Sequence, residues 1–253
     1  MIRADHISKT FDGRTVLDDI SVEFDTGKTN LIIGRSGSGK TVLLKNLIGL
    51  MTPDSGEISY DDSRMSLLDY KQRMELRKNI GILFQGSALF DFATVIENVM
   101  FPMEFFTDWS YAERRERAQY CLEKVNVAGS DDKYPNELSG GMQKRVGIAR
   151  AIALNPKYLF CDEPNSGLDP YTSILIDRLI YDLTKEFNMT TVVNTHDMNS
   201  ILEIGDKIGF IYKGEMVWQG DRHSILQPDC EPLRDFVCAN TLARNIIEKN
   251  GRK

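Results

Sequence analysis

This sequence of 253 residues lacks a membrane-spanning run, a signal-peptide core and cysteines at metal-ligand spacing. No run approaches the ~18 consecutive apolar residues needed to span a bilayer, and residues 1–5 contain no apolar core of a signal peptide. The few cysteines lie far apart and show no metal-ligand spacing, which predicts reduced, buried thiols. These cysteines are Cys121, Cys161, Cys230 and Cys238. Together, these absences predict a chain that stays in the cytoplasm.

The chain also lacks an excess of positive charge. Its formal net charge of −6 argues against a general nucleic-acid-binding protein, which usually presents a basic stripe. The densest basic stretch, residues 113–117, alternates with acids, and a solvated helix face explains it better than a phosphate-binding patch. We therefore expect no nucleic-acid partner.

The most informative feature that is present is a loop rich in glycine and serine. It lies between a strand-like run at 31–33 and a helix-like run at 42–50. The loop reads Gly34-Arg35-Ser36-Gly37-Ser38-Gly39-Lys40-Thr41, and Val42 follows it. Such a loop aims backbone N–H groups at phosphate oxygens at the positive end of a helix dipole. Lys40 would reach the β- and γ-phosphates and the Thr41 hydroxyl would bind Mg²⁺. A ligand-free loop is the alternative, but the strand before it and the helix after it favour a nucleoside triphosphate.

The order of strand-like and helix-like runs predicts an α/β fold. Residues 2–33 read as short strands with turns, and further apolar strands follow later in the chain, with a helix at 171–187. The later strands are expected at 80–84, 158–161, 191–194 and 207–212. Between about 95 and 153 only helical periodicity is present, which predicts a helical insertion. Alternating strands and helices indicate a largely parallel sheet.

The C-terminal residues 233–253 look helical and amphipathic. They either pack on their own domain or bind a partner. The apolar positions of this segment are Phe236, Val237, Leu242, Ile246 and Ile247.

The apolar strand at 159–161 ends in two acids, Asp162 and Glu163. Two carboxylates at the end of a buried strand are costly unless they meet a metal ion or another partner. Asp162 is placed to hold Mg²⁺ through water, and Glu163 to accept a proton from an attacking water. The pair alone is a weak signal, but its position after the phosphate loop and the helical insertion strengthens it.

A third motif stands between the phosphate loop and the acidic strand end. It reads Leu138-Ser139-Gly140-Gly141-Met142-Gln143-Lys144-Arg145 and opens a helix-like run through Ala153. It resembles the LSGGQ signature of ABC-type ATPases; a simple capped helix start is the alternative. In that family the serine and glycines, Ser139, Gly140 and Gly141, face the nucleotide held by another subunit.

The resemblance to ABC-type ATPases extends over residues 1–225 and implies further site residues. Gln85 matches the Q-loop residue that senses Mg²⁺ and the water, and Asp169 ends the D-loop segment 166–169. His196 matches the switch histidine at the γ-phosphate. Phe11 matches the aromatic residue that stacks on adenine, although core packing is its alternative role.

The same resemblance implies a single ATPase domain over 1–253, of the P-loop NTPase (RecA-like) fold with a mostly parallel sheet. Residues 1–85 and 154–225 would form the nucleotide-binding core with an N-terminal antiparallel β subdomain. Residues 86–153 would form the inserted α-helical subdomain, and 226–253 a C-terminal helical extension.

For the mechanism, the resemblance implies a homodimer that binds two ATP molecules with Mg²⁺ at its shared interface. It implies docking onto an integral membrane permease, at the cytoplasmic face of the inner membrane. The aromatic residues within 86–106, including Phe90 and Phe92, would lie at the docking groove or be buried in the insertion.

The cargo is indicated by finer details of the same motifs. Met142 and Lys144 in the signature, with the phosphate-loop sequence, resemble the ATPases of Mla/MCE-type phospholipid transporters. This resemblance implies an MCE-domain lipid-binding partner and leaves open a small regulatory subunit. An amino-acid-type importer ATPase is the alternative, and a non-transport ABC ATPase acting on DNA or ribosomes is a minor one.

Overall fold

The computed structural model describes residues 1–241, 243 and 244. The chain divides into two compact units, one formed by residues 1–68 and the chain from 192 onward, the other by residues 69–191. No helix of the described part of the chain is long and apolar enough to cross a membrane.

The first unit begins with an antiparallel sheet in the order β2-β1-β4-β5. Its strands are β1 (Ile2–Phe11), β2 (Arg14–Phe24), β4 (Ser55–Tyr60) and β5 (Ser63–Arg64). The turn between β1 and β2 contains Asp12 and Gly13, both in the left-handed region where a tight reversal places them. Ile2 and Ala4 of β1 and Leu17 and Ile20 of β2 are fully buried.

A second group of strands in this unit carries the phosphate loop. β3 (Thr29–Ile33) is buried along its whole length and pairs in parallel with β9 (Lys207–Tyr212), which pairs antiparallel with β10 (Glu215–Gly220). A strand buried on both faces reads as a continuous apolar run, as 31–33 does. The helices of the unit are α1 (Lys40–Leu47), α7 (Met198–Ile204) and α8 (Glu231–Cys238).

The second unit contains the helices of the predicted insertion. Its helices are α2 (Tyr70–Lys78), α3 (Val95–Phe106), α4 (Tyr111–Lys124), α5 (Gly140–Ile152) and α6 (Pro170–Glu186). Its strands β6 (Ile80–Leu83) and β7 (Tyr158–Asp162) pair in parallel. The strand β8 (Thr190–Thr195) runs across the boundary of the two units in sequence. The predicted α/β fold with an antiparallel N-terminal sheet is confirmed.

Side chains that accept from backbone N–H groups fix where several helices begin. Thr94 and Ser110 form capping boxes with Glu97 and Glu113 at the starts of α3 and α4. The helix after the phosphate loop ends at Leu47 rather than Leu50, because Gly49 adopts a left-handed φ of +72°.

The structure corrects the expectation that all four cysteines are buried. Cys121 and Cys161 are buried as predicted, whereas Cys230 and Cys238 are partly exposed, since they flank and end α8. Helix α8 contains the start of the predicted helical stretch 233–253, Thr241, Ala243 and Arg244 are also helical, and Leu242, Ile246 and Ile247 lie outside the described residues.

The basic stretch of α4 is not simply a solvated face. Arg117 Nε donates to Ala153 O at 2.9 Å and Arg117 Nη2 to Ile152 O at 3.0 Å. Arg117 therefore satisfies carbonyls at the C-terminal end of α5, where a cation also interacts favourably with the helix dipole.

Candidate functional site

The phosphate loop, residues 34–41, connects β3 to α1 in the first unit. Gly34 has a φ of +154°, and a Cβ there would lie 2.4 Å from Ile211 O and 2.7 Å from Ser38 Oγ. Gly39 has a φ of +111°, and a Cβ there would lie 2.9 Å from Val16 O. These close approaches explain why the motif needs glycine at both positions.

Two side chains of the loop are arranged as a phosphate site requires. Lys40 Nζ donates to Gly34 O at 2.9 Å and to Arg35 O at 3.2 Å, so the ammonium group is held over the loop. Ser38 Oγ is buried and, among the described residues, has no hydrogen-bond partner. A buried hydroxyl without a partner is unfavourable, so this atom points to a ligand with an acceptor oxygen.

A cavity of about 260 Å³ lies beside the loop within the same unit. Besides the loop residues 35–38, it is lined by Arg14, Val16 and Lys213. Sequence reasoning missed Arg14 and Lys213; the signals were the turns that contain them, Asp12-Gly13-Arg14 and Lys213-Gly214. Both side chains are exposed cations, suited to an anionic ligand in this cavity.

Phe11 and His196 also belong to the first unit. Phe11 ends β1 with 40% of its surface exposed, and Lys9 Nζ lies 5.7 Å from its ring centroid. Phe11 is therefore not a core residue. His196 is exposed and follows β8 directly, just before Asp197, which caps α7.

The remaining predicted site residues lie in the second unit. Asp162 is the last residue of β7, and Glu163 follows it with a φ of +46°. A non-glycine residue in the left-handed region is uncommon, and such strained positions cluster at functional sites. The backbone conformation thus marks Glu163 as unusual independently of its sequence motif.

The signature residues begin α5. Ser139 caps the helix, with Met142 N donating to its Oγ at 3.3 Å. A Cβ on Gly141 would lie 2.6 Å from Thr172 Cγ2, so this glycine permits close packing against the start of α6. Asp169 caps α6 by accepting from Tyr171 N and Thr172 N, both at 3.0 Å. The Thr172 hydroxyl, which donates to Asp169 Oδ2, lowers the pKa of that carboxyl.

The structure brings the Q-loop residue close to the D-loop segment and the signature helix. Gln85 Nε2 donates to Ser166 Oγ at 3.2 Å, and Lys144 Nζ donates to Gln85 O. Lys144 is only 4% exposed; burial lowers its pKa, while Cys161, Asp162 and Glu163 act in the opposite direction. Sequence reasoning noted Lys144 only as a family marker and did not predict this contact.

An aromatic groove lies in the same unit, next to the Q-loop. We define it by Phe84, Phe90, Phe101, Pro102, Phe106 and Arg150, which line a cavity of about 360 Å³. The ring centroids of Phe90 and Phe101 are 4.5 Å apart, and those of Phe90 and Phe92 are 5.4 Å apart. Phe92 and Phe105 form the rim of the groove, with their rings against Phe90 and Phe101; they are 82% and 69% exposed, so burial within the helical insertion does not account for these two rings.

Comparisons with known sequences agree with the motifs. The sequence profile of the family described as ABC transporter matches residues 17–166. The chain is 34% identical over 231 residues to the "Probable ribonucleotide transport ATP-binding protein mkl" of Mycobacterium leprae, covering 91% of this chain and 67% of that protein. It is 40% identical over 252 residues to the "Methionine import ATP-binding protein MetN" of Carboxydothermus hydrogenoformans, covering 98% of this chain and 74% of that protein. The chain thus spans about two thirds to three quarters of the length of these relatives.

Solved structures give the same result. The post-hydrolysis dimer of the ATP-binding cassette MJ0796 bound to ADP and Pi has a TM-score of 0.80 and 33% identity, covering 88% of this chain and 99% of that one. The structure of cbiO1 from Clostridium perfringens, part of the ABC transporter complex cbiONQ, has a TM-score of 0.82 and 30% identity, covering 89% of this chain and 90% of that one.

Proposed function

The chain belongs to the ABC transporter family, as one of its ATPases, and we propose that it powers phospholipid transport across the bacterial cell envelope. In this proposal it acts as a homodimer on the cytoplasmic face of the inner membrane. Its partners are an integral permease and an MCE-domain lipid-binding protein, and a small regulatory subunit is left open. In the same proposal, residues 86–153 form the helical subdomain and residues 226–253 the C-terminal extension.

The observation that carries the ATPase assignment at residue level is the phosphate loop. Lys40 lies over the loop carbonyls, Ser38 Oγ is buried without a partner in the described chain, and glycine at position 34 avoids a clash of a Cβ with Ile211 O and Ser38 Oγ. These features fit a triphosphate, whose oxygens accept from Lys40, Ser38 and the loop N–H groups. Phe11 would stack on the base.

For the hydrolysis step we assign roles to the chain's own residues. Glu163 accepts the proton of the attacking water, His196 contacts the γ-phosphate, and Gln85 orients the water. Thr41, Asp162 and Gln85 are the residues that would hold Mg²⁺, which neutralises phosphate charge when bound. Ser139, Gly140, Gly141 and Asp169 would face the nucleotide of the second copy.

Docking to the permease is assigned to the aromatic groove. Clustered exposed aromatic rings are unusual on a surface that remains in water, and aromatic residues are enriched at protein interfaces. Phe92 and Phe105 expose most of their surface next to a cavity that has Phe90 and Phe101 as its walls. An apolar segment of the permease would fill this groove.

Phospholipid as cargo rests on Met142 and Lys144 in the signature motif, which resemble those of Mla/MCE-type ATPases. An amino-acid-type importer is the second candidate, because relatives named for methionine import reach 40% identity. The relatives named for ribonucleotide transport add a third cargo class to be tested.

The test is to purify the Glu163→Gln variant with ATP from detergent-solubilised native membranes and to identify what accompanies it. A permease, an MCE-domain protein and bound phospholipid would support the proposal. A permease with a periplasmic solute receptor would keep the ATPase assignment and replace the cargo. Ribosomes, nucleic acid or the absence of any membrane protein would contradict a transport role.

A further inference from the structure

The Q-loop main chain is held to helix α5 by two cations that the proposed chemistry does not use. Arg150 Nη2 donates to Ser87 O at 2.6 Å and Arg150 Nη1 donates to Ala88 O at 2.7 Å. Lys144 Nζ donates to Gln85 O. Three carbonyls within four consecutive residues thus accept from one helix. We call residues 85–88 with Lys144 and Arg150 the Q-loop clamp.

The segment held by the clamp is strained. Ser87 has a φ of +61° and Ala88 a φ of +48°, and neither is glycine. A non-glycine residue in the left-handed backbone region costs ~1 kcal/mol or more. Such a conformation is kept only where the surrounding structure imposes it. Ser87 is 2% exposed, so its strain is held inside the unit, whereas Ala88 is exposed. Without Arg150, the carbonyls of Ser87 and Ala88 lose their charged donor.

Helix α5 approaches the same segment with a glycine between the two cations. Lys144, Gly147 and Arg150 follow each other at i, i+3 spacing, so they are neighbours on the helix surface. A Cβ on Gly147 would lie 2.8 Å from Leu83 Cδ1 and 3.5 Å from Ser87 Cβ. The helix backbone therefore lies directly against the strand end and the Q-loop.

The clamp connects three features of the second unit. Its helix starts with the signature residues, its loop carries the Gln85 side chain to Ser166, and Arg150 lines the aromatic groove. The Arg150 guanidinium carbon lies 5.8 Å from the ring centroid of Phe90. The groove and the Q-loop are therefore both in contact with α5 through the side chain of Arg150.

From this geometry we infer that Lys144 and Arg150 are positioning residues, which fix the strained Q-loop to the signature helix and so hold Gln85 in the position that turnover needs. The inference rests on the role proposed for Gln85 in turnover, but not for the clamp itself. The clamp predicts an effect on kcat with little effect on ATP affinity, because neither residue belongs to the phosphate loop.

The first arm of the test uses the full chain alone. Hydrogen–deuterium exchange of the 85–90 amides is compared in wild type, Arg150→Met and Lys144→Met. We expect exchange about tenfold faster in each variant, which corresponds to ~1.4 kcal/mol of lost local stability. Arg117→Met is the matched control, since the Arg117 guanidinium donates to Ile152 O and Ala153 O and not to the carbonyls of 85–88, and it should leave 85–90 unchanged. Unchanged exchange in the Lys144 and Arg150 variants would show that these side chains do not hold the Q-loop in place.

The second arm measures ATPase kinetics in the complex purified from native membranes. We expect Arg150→Lys, which keeps the charge but cannot donate to two carbonyls in a fork, to lower kcat about fivefold or more with KM for ATP within about twofold. Lys144→Arg should restore most of the kcat lost in Lys144→Met. The clamp would have only a structural role if kcat and ATP affinity fell together. The same would follow if kcat fell only in variants whose melting temperature is also lower. If no permease accompanies the protein, the transport proposal fails, while the exchange arm still decides the clamp.

Discussion

Lys40 shows how the phosphate loop is prepared for an anion at the level of one residue. Its ammonium group is bound to the carbonyls of Gly34 and Arg35, and only 6% of the residue is exposed. A buried ammonium needs strong acceptors, and phosphate oxygens are better acceptors than neutral carbonyls. The residue is thus placed to exchange loop carbonyls for phosphate.

We expect Lys40→Ala to weaken ATP binding by roughly 10- to 100-fold, as expected for the loss of a charge-assisted hydrogen bond. Isothermal titration calorimetry with a non-hydrolysable ATP analogue measures this. Lys45→Ala is the matched control, because Lys45 is an exposed lysine in the last turn of the same helix. Equal affinities of wild type and Lys40→Ala would contradict the phosphate-loop assignment.

Glu163 combines a strained backbone with a position at the end of a buried strand. We expect Glu163→Gln to bind ATP and to form the homodimer, while hydrolysis falls by about 10²- to 10⁴-fold, the range for a lost general base. Phosphate release and size-exclusion chromatography measure the two effects. Glu186→Gln, an exposed acid that pairs with Lys124, should hydrolyse ATP at the wild-type rate. Turnover near wild type in Glu163→Gln would show that another group is the base.

Among the elements, α3 carries Phe101, Pro102 and Phe106 of the proposed docking groove, and its start is fixed by local sequence. The Thr94 capping box begins the helix, and Asn98 Oδ1 accepts from Phe90 N at 2.8 Å, which ties the preceding loop to the helix. Phe101 and Phe105, one helical turn apart, have ring centroids 4.9 Å apart. The aromatic surface is therefore an ordered part of the second unit.

We expect Phe92→Ala to reduce permease recovery and permease-dependent ATPase stimulation several-fold, with no loss of melting temperature, because the Phe92 side chain is 82% exposed. Co-purification from native membranes and thermal unfolding measure the two effects. Tyr70→Ala is the control, since Tyr70 is a 78% exposed aromatic residue on α2 outside the groove. Full stimulation in Phe92→Ala would place the docking surface elsewhere.

On the scale of the whole molecule, hydrogen bonds hold several carboxyl groups in their charged form. The pKa of Glu97 is lowered by the Thr94 N–H, that of Glu113 by the Ser110 hydroxyl, and that of Asp221 by the Ser224 N–H. A carboxyl whose pKa is lower in the folded than in the unfolded state stabilises the fold above its unfolded pKa. That contribution is lost as the pH falls through the folded pKa.

We therefore expect these carboxyl groups to change the melting temperature of the protein little between about pH 7 and 5. Below about pH 4.5 their protonation should lower it progressively. Differential scanning fluorimetry from neutral to acid pH measures this. Asp221→Asn should show a shallower acid decline than wild type, because one of the shifted groups is gone. A melting temperature that rises on acidification through this window would reverse the predicted sign.

The sequence by itself determined the family, the α/β fold and the candidate nucleotide residues. Phosphate binding needs consecutive N–H groups at a helix start, so its residues are contiguous and readable as a motif. The helical character of residues 95–153 was also readable, since helical periodicity is local. The domain boundaries, the individual site roles and the cargo stay predictions.

Tertiary structure alone decided the features that depend on residues distant in sequence. Lys144 meets Gln85 across 59 positions, and Arg150 meets Ser87 across 63. No periodicity encodes which carbonyl a long cationic side chain reaches, because this depends on how closely α5 packs against β6 and the Q-loop. The exposure of Phe92 and the partial exposure of Cys230 were decided in the same way, since hydrophobicity favours burial but packing leaves some apolar side chains outside the core.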